Sequence, residues 1–135
     1  AFGIPTFVVF DSDGHEPNAG KKALHKADNE AILALLGVTG VASFPKDHHW
    51  GERVVMWSSE IGEVVKAEIG PADWTQCQSK ADVLHGQPGN LHKNGLHVAS
   101  SLTFAHEDKK SSASLLKVCE KIIEFSKYAK PVEVK

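Results

Sequence analysis

The chain has 135 residues, a length typical of a single domain. Hydrophobic residues make up 41% and charged residues 24%, which is ordinary for a globular protein and argues against disorder. The formal net charge of -2 excludes a uniformly basic nucleic-acid coat, although a local basic patch is compatible with it. No apolar run approaches the ~20 residues needed to cross a bilayer, so we expect no membrane partner.

The cysteines and the first five residues indicate the cellular location and whether the chain is part of a longer protein. Cys77 and Cys119 lack CxxC spacing, which disfavours a disulfide framework and a zinc knuckle and favours a reducing, cytoplasmic location. Residues Ala1 to Pro5 begin neither a basic stretch nor a long apolar one, so they do not resemble a signal peptide. We therefore expect the chain to begin within a longer protein.

The first half of the chain predicts strand, helix and strand. Thr6 to Phe10 is a short continuous apolar run, which is typical of a strand buried on both faces. Residues 21–36 predict a helix that ends at Gly37, a left-handed cap. Its apolar residues recur at helical spacing: Leu24, Ala27, Ala31, Ile32, Leu35 and Leu36. Residues 38–51 predict a loop, and Arg53 to Trp57 predicts a second buried strand.

The second half is mainly helical in its pattern. Ser58 and Ser59 are candidate N-caps for a helix to Gly70, and Pro71 opens another helix to about Leu84. Residues 86–94 predict a loop, and residues 96–104 are ambiguous between a strand and an extended segment. A last helix follows Ser111 or Ser112, and its predicted buried stripe comprises Leu115, Leu116, Cys119, Ile122, Ile123 and Phe125.

The alternation of strands and helices predicts an α/β fold with a parallel sheet flanked by helices. Only two strands are evident, and a stable parallel sheet needs more. We therefore expect the first strand of the sheet to be missing from this chain. The predicted organisation is one domain over residues 1–130 and a frayed tail over residues 131–135.

Asp11 and Asp13 carry the main chemical signal. They follow an apolar strand at its carboxyl end, where α/β folds place their ligands. In extended geometry both carboxylates project to the same side, and hard oxygen ligands at that spacing suit Mg²⁺ or Mn²⁺. Because Asp and Gly are also preferred turn residues, a plain solvated turn over residues 11–14 is the competing interpretation.

The sequence resembles the Toprim domain of the overcoming-lysogenisation-defect (OLD) family of ATP-dependent nucleases. The resemblance is most specific in residues 2–37, with FGIPTFVVFDSDG in the strand and NEAILALLG at the helix end. Residues 55–61 (VMWSSEI) and 67–74 (AEIGPADW) resemble the later acidic motif and the helix after it. Residues 109–113 (KKSSA) resemble the lysine motif before the last helix.

The resemblance implies a two-metal DNA endonuclease or nickase domain behind an ATPase domain of the same parent chain. Asp11 and Asp13 match the DxD metal ligands, and Glu60 matches the later acidic ligand. Lys110, or Lys109, matches the lysine that offsets charge near the scissile phosphate. The expected cofactor is Mg²⁺ or Mn²⁺ in a two-metal site. The family's first strand with its glutamate, and a Walker A motif, are not in this sequence.

Other basic and aromatic residues complete the set of candidates. Lys21 and Lys22 are candidate phosphate contacts, with an ordinary solvated helix start as the competing interpretation. The eight histidines show no HExxH or HxxxH spacing and are expected on surface loops, with a DNA contact left open for His48 or His49. The tryptophans are expected in the core, and both cysteines are expected to be buried.

Two further interpretations and the assembly stay open at this stage. A non-catalytic Toprim-like interaction or regulatory module is favoured by the missing glutamate and by Ser58 and Ser59 in place of acids. A Mg²⁺-dependent phosphatase or receiver-like domain also uses acids at strand ends, but its Thr/Ser and Lys pattern is not evident. A homodimer is compatible with the sequence.

Overall fold

The computed structural model describes residues 5–86 and 92–128. Within these residues the predicted α/β class is confirmed, and no helix there is long and apolar enough to span a bilayer. The elements in chain order are β1 (Val8–Asp11), α1 (Ala19–Leu35), β2 (His49–Trp50), β3 (Val54–Trp57), α2 (Ile61–Ile69), α3 (Pro71–His85), α4 (Gly95–Glu107) and α5 (Ala113–Tyr128).

The chain divides into two compact units, which are described separately here. The first unit comprises residues 1–61 and 117–135, and the second comprises residues 62–116. The single domain over residues 1–130 stays a prediction. The predicted tail over residues 131–135 lies outside the described residues, as do the first three residues, 2–4, of the segment that resembles the Toprim strand.

The first unit contains a sheet with the strand order β1-β3-β2. Strand β1 pairs parallel to β3, and β2 pairs antiparallel to it, with His49 opposite Met56. The described sheet is therefore mixed, which corrects the expectation of a purely parallel one. The segment 38–51 was expected to be a loop, and a strand of two residues within it has no periodicity that a sequence could reveal.

The central strand β3 is the most deeply buried element of the sheet. All four of its residues, Val54–Trp57, are at most 1% exposed, which confirms the second buried strand. By contrast, β1 lies at an edge of the described sheet, and Val9 is 38% exposed. The expectation that β1 is buried on both faces was wrong, because an apolar run specifies strand propensity and not whether other elements cover both faces of the strand.

Helix α1 ends before Gly37 as predicted, but it begins at Ala19, two residues before the predicted start, and it has a different buried face. The Asn18 side chain accepts a hydrogen bond from the Lys21 amide, and Gly37 adopts a left-handed φ of 69° after the last turn, as predicted. The buried residues of α1 are Asn29 and Leu33, whereas Leu24 and Leu35 of the predicted stripe are exposed. The face was misassigned because a buried asparagine, which is polar, lies at its centre.

The second unit is helical, and its helix α4 was not identified from the sequence. The segment 96–104 was expected to be a strand or extended, yet Gly95–Glu107 is a helix capped by the Asn94 side chain. Its buried positions are His97, Ser101 and Ala105, which are polar or small. Such a face gives no apolar stripe, although the spacing of four residues is helical.

The two remaining helix starts show one confirmed cap and one corrected cap. Ser112 Oγ accepts the Leu115 amide at 3.1 Å, which confirms Ser112 as the cap of α5. Helix α2 begins at Ile61, and the carboxylate that accepts its first amide belongs to Asp11, not to the predicted Ser58 or Ser59.

The predicted buried stripe of α5 was largely wrong. Its buried residue is Val118, whereas Cys119 and three further members of the stripe are exposed: Leu116, Ile122 and Ile123. Among the other core predictions, Trp57, Trp74 and Cys77 are confirmed at 7% exposure or less, whereas Trp50 is only half-buried. Both cysteines are free thiols.

Candidate functional site

Three predicted acids of the first unit approach one another where two parallel strands end. We call Asp11, Asp13 and Glu60 the carboxylate cluster. Asp11 is the last residue of β1 and lies opposite Trp57, the last residue of β3. Glu60 follows Trp57 by three positions along the chain. Because carboxyl ends of parallel strands meet at one edge of a sheet, this geometry brings acids from both strands to the same edge.

Asp11 is held by a helix N-terminus. Its Oδ1 accepts the Ile61 backbone amide at 2.9 Å, so the carboxylate satisfies one of the free amides that begin α2. Burial is the main cause that raises the pKa of Asp11 above its usual value, and the charges of Asp13 and Glu60 add to it. Asp11 therefore senses both other members of the cluster electrostatically.

Asp13 is positioned by an unusual backbone conformation and by a buried amide. Its φ is 54°, a left-handed value that Asp tolerates better than most residues. The preceding Ser12 is fully buried, and Asn29 Nδ2 on α1 donates to both Ser12 O and Ser43 O at 2.8 Å. The turn that carries Asp13 is thus fixed to α1 by a side chain.

Two histidines accompany the cluster. His15 Nε2 lies 3.2 Å from Glu60 Oε1, and His25 Nδ1 lies 3.6 Å from Asp13 Oδ2. These acids are partly exposed, with side-chain exposures of 44% for Glu60 and 37% for Asp13. The cluster is therefore open to solvent and to an ion, and each of these two acids already has an imidazole partner.

The carboxylate cluster has the ligand type that a hard cation prefers, but its ligand atoms are more widely spaced than in a compact metal site. Carboxylate oxygens are the ligands that Mg²⁺ and Mn²⁺ prefer. Among the described residues, however, the group whose ligand atoms all lie within 4.8 Å of one another is Asp82, His92 and His97, and the carboxylate cluster is not so compact. A cation bound by Asp11, Asp13 and Glu60 would have to draw them closer together.

The two predicted lysines of the first unit lie beside the turn that carries Asp13. Lys22 Nζ donates to Gly14 O at 2.7 Å and lies 5.3 Å from the centre of the Phe44 ring. The Lys21 amide is bonded to the Asn18 cap, and its side chain is exposed. Lys22 is therefore engaged by the turn itself, while Lys21 is the more accessible cation.

The two predicted lysines of the second unit lie where α4 ends. Lys109 has a left-handed φ of 59°, and the Lys109 and Lys110 amides donate to His106 O and Ala105 O. Lys110 Nζ forms an ion pair with Asp73 Oδ2 at 2.6 Å. Both lysines are exposed, but Lys110 would have to leave Asp73 before it could contact a phosphate.

The second unit also contains a cluster that sequence reasoning missed. Asp82 Oδ1 lies 2.8 Å from His97 Nε2 and 3.5 Å from His92 Nε2. His97 is 1% exposed within α4, so the expectation of surface-loop histidines was wrong for this residue. The only available signal was the abundance of histidine in residues 85–97, because residues that lie 10 and 15 positions apart form no recognised short motif.

His48 and His49 also differ from that expectation. The ring nitrogen Nδ1 of His48 lies 3.1 Å from both the amide and the hydroxyl of Ser58, and its ring packs edge-on against Trp57. His49 is part of β2. These contacts place both residues within the sheet region of the first unit.

No protein-family model, curated protein or solved structure matches this chain.

Proposed function

We propose that the chain is a Toprim-type domain of a metal-dependent DNA endonuclease or nickase that is fused to an ATPase domain in its parent protein. The observation that carries the proposal is the approach of Asp11, Asp13 and Glu60 at the carboxyl ends of the parallel strands β1 and β3. Their residue types and order along the chain match the DxD motif and the later acidic motif of the OLD-family nucleases that the sequence resembles, although the family's first glutamate is not in this sequence.

In this proposal the carboxylate cluster holds the metal and the lysines hold the nucleic acid. Bound Mg²⁺ or Mn²⁺ supplies water activation and neutralises charge on the scissile phosphate and the leaving oxygen. The Ile61 amide holds Asp11 and the turn bonded to Asn29 holds Asp13 near each other, and a bound cation would draw their carboxylates closer together. Lys21, Lys22 and Lys109 are the proposed phosphate contacts, and Lys110 has the charge-offsetting role that the resemblance implies.

One observation favours the alternative of a non-catalytic Toprim-like module. The Asp11 carboxylate already has a structural task, because its Oδ1 caps the start of α2. An aspartate at this position would be retained for folding even where the chemistry is lost. The two functions differ in whether the cluster binds a divalent cation.

Mn²⁺ titration followed by water-proton relaxation tests the metal site in this chain. We expect binding in the millimolar range or tighter, weakened by Asp13→Asn and by Asp11→Asn, which keeps an oxygen that can cap Ile61. Asp28→Asn, an exposed acid on α1 outside the cluster, is the matched control and should bind Mn²⁺ as the wild type does. Absence of millimolar Mn²⁺ binding by the wild type would support the non-catalytic module.

Nicking of supercoiled plasmid by the full-length parent protein tests the activity. We expect nicking that depends on Mg²⁺ or Mn²⁺ and is abolished by Asp13→Asn and by Asp11→Asn. The single chain should be weak or inactive, because the family's glutamate is not in its sequence. Nicking by the parent protein that survives Asp11→Ala would refute the assignment.

A further inference from the structure

We propose that Asp82, His92 and His97 form a second metal site, which binds one divalent transition-metal ion of the zinc type. Asp82 lies in the last turn of α3, His92 precedes the Asn94 cap, and His97 lies in the first turn of α4. Their ligand atoms all lie within 4.8 Å of one another. All three residues belong to the second unit, so this site does not depend on the carboxylate cluster or on the proposed nuclease activity.

The donor set determines the class of ion. Two imidazoles and one carboxylate are a mixed nitrogen and oxygen set, which suits Zn²⁺ and similar borderline ions. Mg²⁺ and Ca²⁺ prefer oxygen ligands alone. The cluster is therefore chemically different from Asp11, Asp13 and Glu60, and the two sites are expected to select different ions.

His97 is the buried member of the cluster. It is 1% exposed, and the nitrogen that it presents to Asp82 is Nε2. If the only role of these residues were to join α3 to α4, the 2.8 Å contact between His97 and Asp82 would be enough without His92. Yet His92, which is 40% exposed, places Nε2 3.5 Å from the same Asp82 carboxylate, and its ring centre lies 5.0 Å from that of His97.

The two distances from Asp82 to the histidines need only a small adjustment for coordination. Metal–ligand bonds of about 2.1 Å in a tetrahedron separate neighbouring ligand atoms by about 3.4 Å. The 3.5 Å between His92 Nε2 and Asp82 Oδ1 already has this value. The 2.8 Å between His97 Nε2 and Asp82 Oδ1 would open by about 0.6 Å as the ion replaces the shared proton.

The position of the site indicates what a bound ion does. The ion would connect the end of α3 to the start of α4, the two helices that form the core of the second unit. Three protein ligands leave one tetrahedral position for water or an anionic ligand. His85 lies beside the site, with its ring centre 5.9 Å from that of His97, but its Nε2 contacts Ser100 Oγ at 3.0 Å, and it is not one of the ligands.

Calorimetric titration of the full chain, without a histidine tag, with Zn²⁺ tests the site. We expect one Zn²⁺ per chain, a raised melting temperature, and in parallel the visible absorption of tetrahedral Co²⁺. His92→Ala is the principal variant because His92 is exposed and its loss should leave the fold intact, and it should weaken binding by at least about tenfold. Asp82→Asn should act in the same direction.

Two controls make the outcome decisive. His106→Ala removes an exposed histidine from the last turn of α4 and should bind Zn²⁺ as the wild type does. Asp13→Asn, which alters the carboxylate cluster, should also leave Zn²⁺ binding unchanged. The proposal is overturned if the wild type binds no stoichiometric Zn²⁺, or if His92→Ala and Asp82→Asn bind it with wild-type affinity.

Discussion

The two units build their polar clusters on different scaffolds. In the first unit, acids follow the ends of adjacent parallel strands, and two of the three, Asp11 and Asp13, are close neighbours in sequence. In the second unit, a helix end and a helix start bring together Asp82, His92 and His97, of which the last is 1% exposed. The first cluster is all oxygen and open, and the second is mixed and partly buried.

This difference shows what kind of site a sequence can reveal. Residues at the end of a strand are close along the chain, so a short motif such as DxD is enough to predict that their side chains lie together. A pair of helices gathers residues from separate turns, and their spacing along the chain is set by helix length and loop length. The carboxylate cluster could therefore be proposed from the sequence, whereas the histidine cluster required the structure.

The largest effect on stability is expected in the central strand β3, the buried strand that pairs with β1 beside the carboxylate cluster. Met56 is fully buried, so Met56→Ala should lower the free energy of unfolding by about 2–5 kcal/mol. Leu35→Ala is the matched change in α1, and because Leu35 is 86% exposed its effect should stay within about 0.5 kcal/mol. Urea denaturation of both variants measures the difference. Equal losses would mean that Leu35 is covered in solution.

The fold was predictable where local pattern and tertiary environment agree. The run from Arg53 to Trp57 combines β-branched and apolar residues, and β3 is buried throughout. Pro71 marks the start of α3, and Gly37 marks the end of α1, since each residue type favours the backbone conformation that is found there.

Prediction failed where burial depends on polar or small side chains. Asn29 is buried because its amide satisfies two backbone carbonyls, and hydrophobic periodicity counts it as a surface residue. On α4 the buried face is His97, Ser101 and Ala105, with the Ser101 hydroxyl donating to His97 O. Such faces are specified by hydrogen bonds and close packing that depend on the partner segment, which the local sequence does not contain.

A smaller effect is expected from two equivalent helix ends, one in each unit. Gly37 after α1 and Lys109 after α4 both adopt left-handed φ values, of 69° and 59°, in the same two-bond capping arrangement. Gly37→Ala should lower the free energy of unfolding by about 1 kcal/mol, because a Cβ disfavours this conformation. Lys109→Gly should raise it by about 1 kcal/mol for the same reason.

Thermal and urea denaturation of these two variants measure the pair, with Lys109→Ala as the control that removes the charge but keeps a Cβ. The control should leave stability within about 0.5 kcal/mol of the wild type. If Lys109→Gly is no more stable than Lys109→Ala, the left-handed conformation at Lys109 after α4 does not have the conformational cost that is expected for a residue with a Cβ, and the two helix ends are not equivalent. In the parent protein, both Lys109 variants should weaken DNA binding, since each removes the proposed phosphate contact.

The smallest effect concerns Asp11, whose ionised carboxylate lowers the stability of the folded chain when no cation is bound. Burial first, and then the charges of Asp13 and Glu60, raise the pKa of Asp11 in the folded chain above the ordinary value of 3.8. The folded state therefore binds this proton more tightly than the unfolded state does. It follows that the contribution of Asp11 to stability decreases as pH rises from about 3.8 through the folded pKa, and stays reduced at neutral pH.

Asp11→Asn removes this penalty and keeps an oxygen that can accept the Ile61 amide. In EDTA at neutral pH the variant should melt at a higher temperature than the wild type, and the gap should close as the pH falls through the folded pKa of Asp11 to below 3.8, the ordinary value. Mg²⁺ should reverse the order, because a cation bound by the carboxylates stabilises only the wild type. A gap that is unaffected by pH would show that neither burial nor the charges of Asp13 and Glu60 raise the pKa of Asp11 in the folded chain, and the carboxylate cluster would then lose the electrostatic argument for a shared ion.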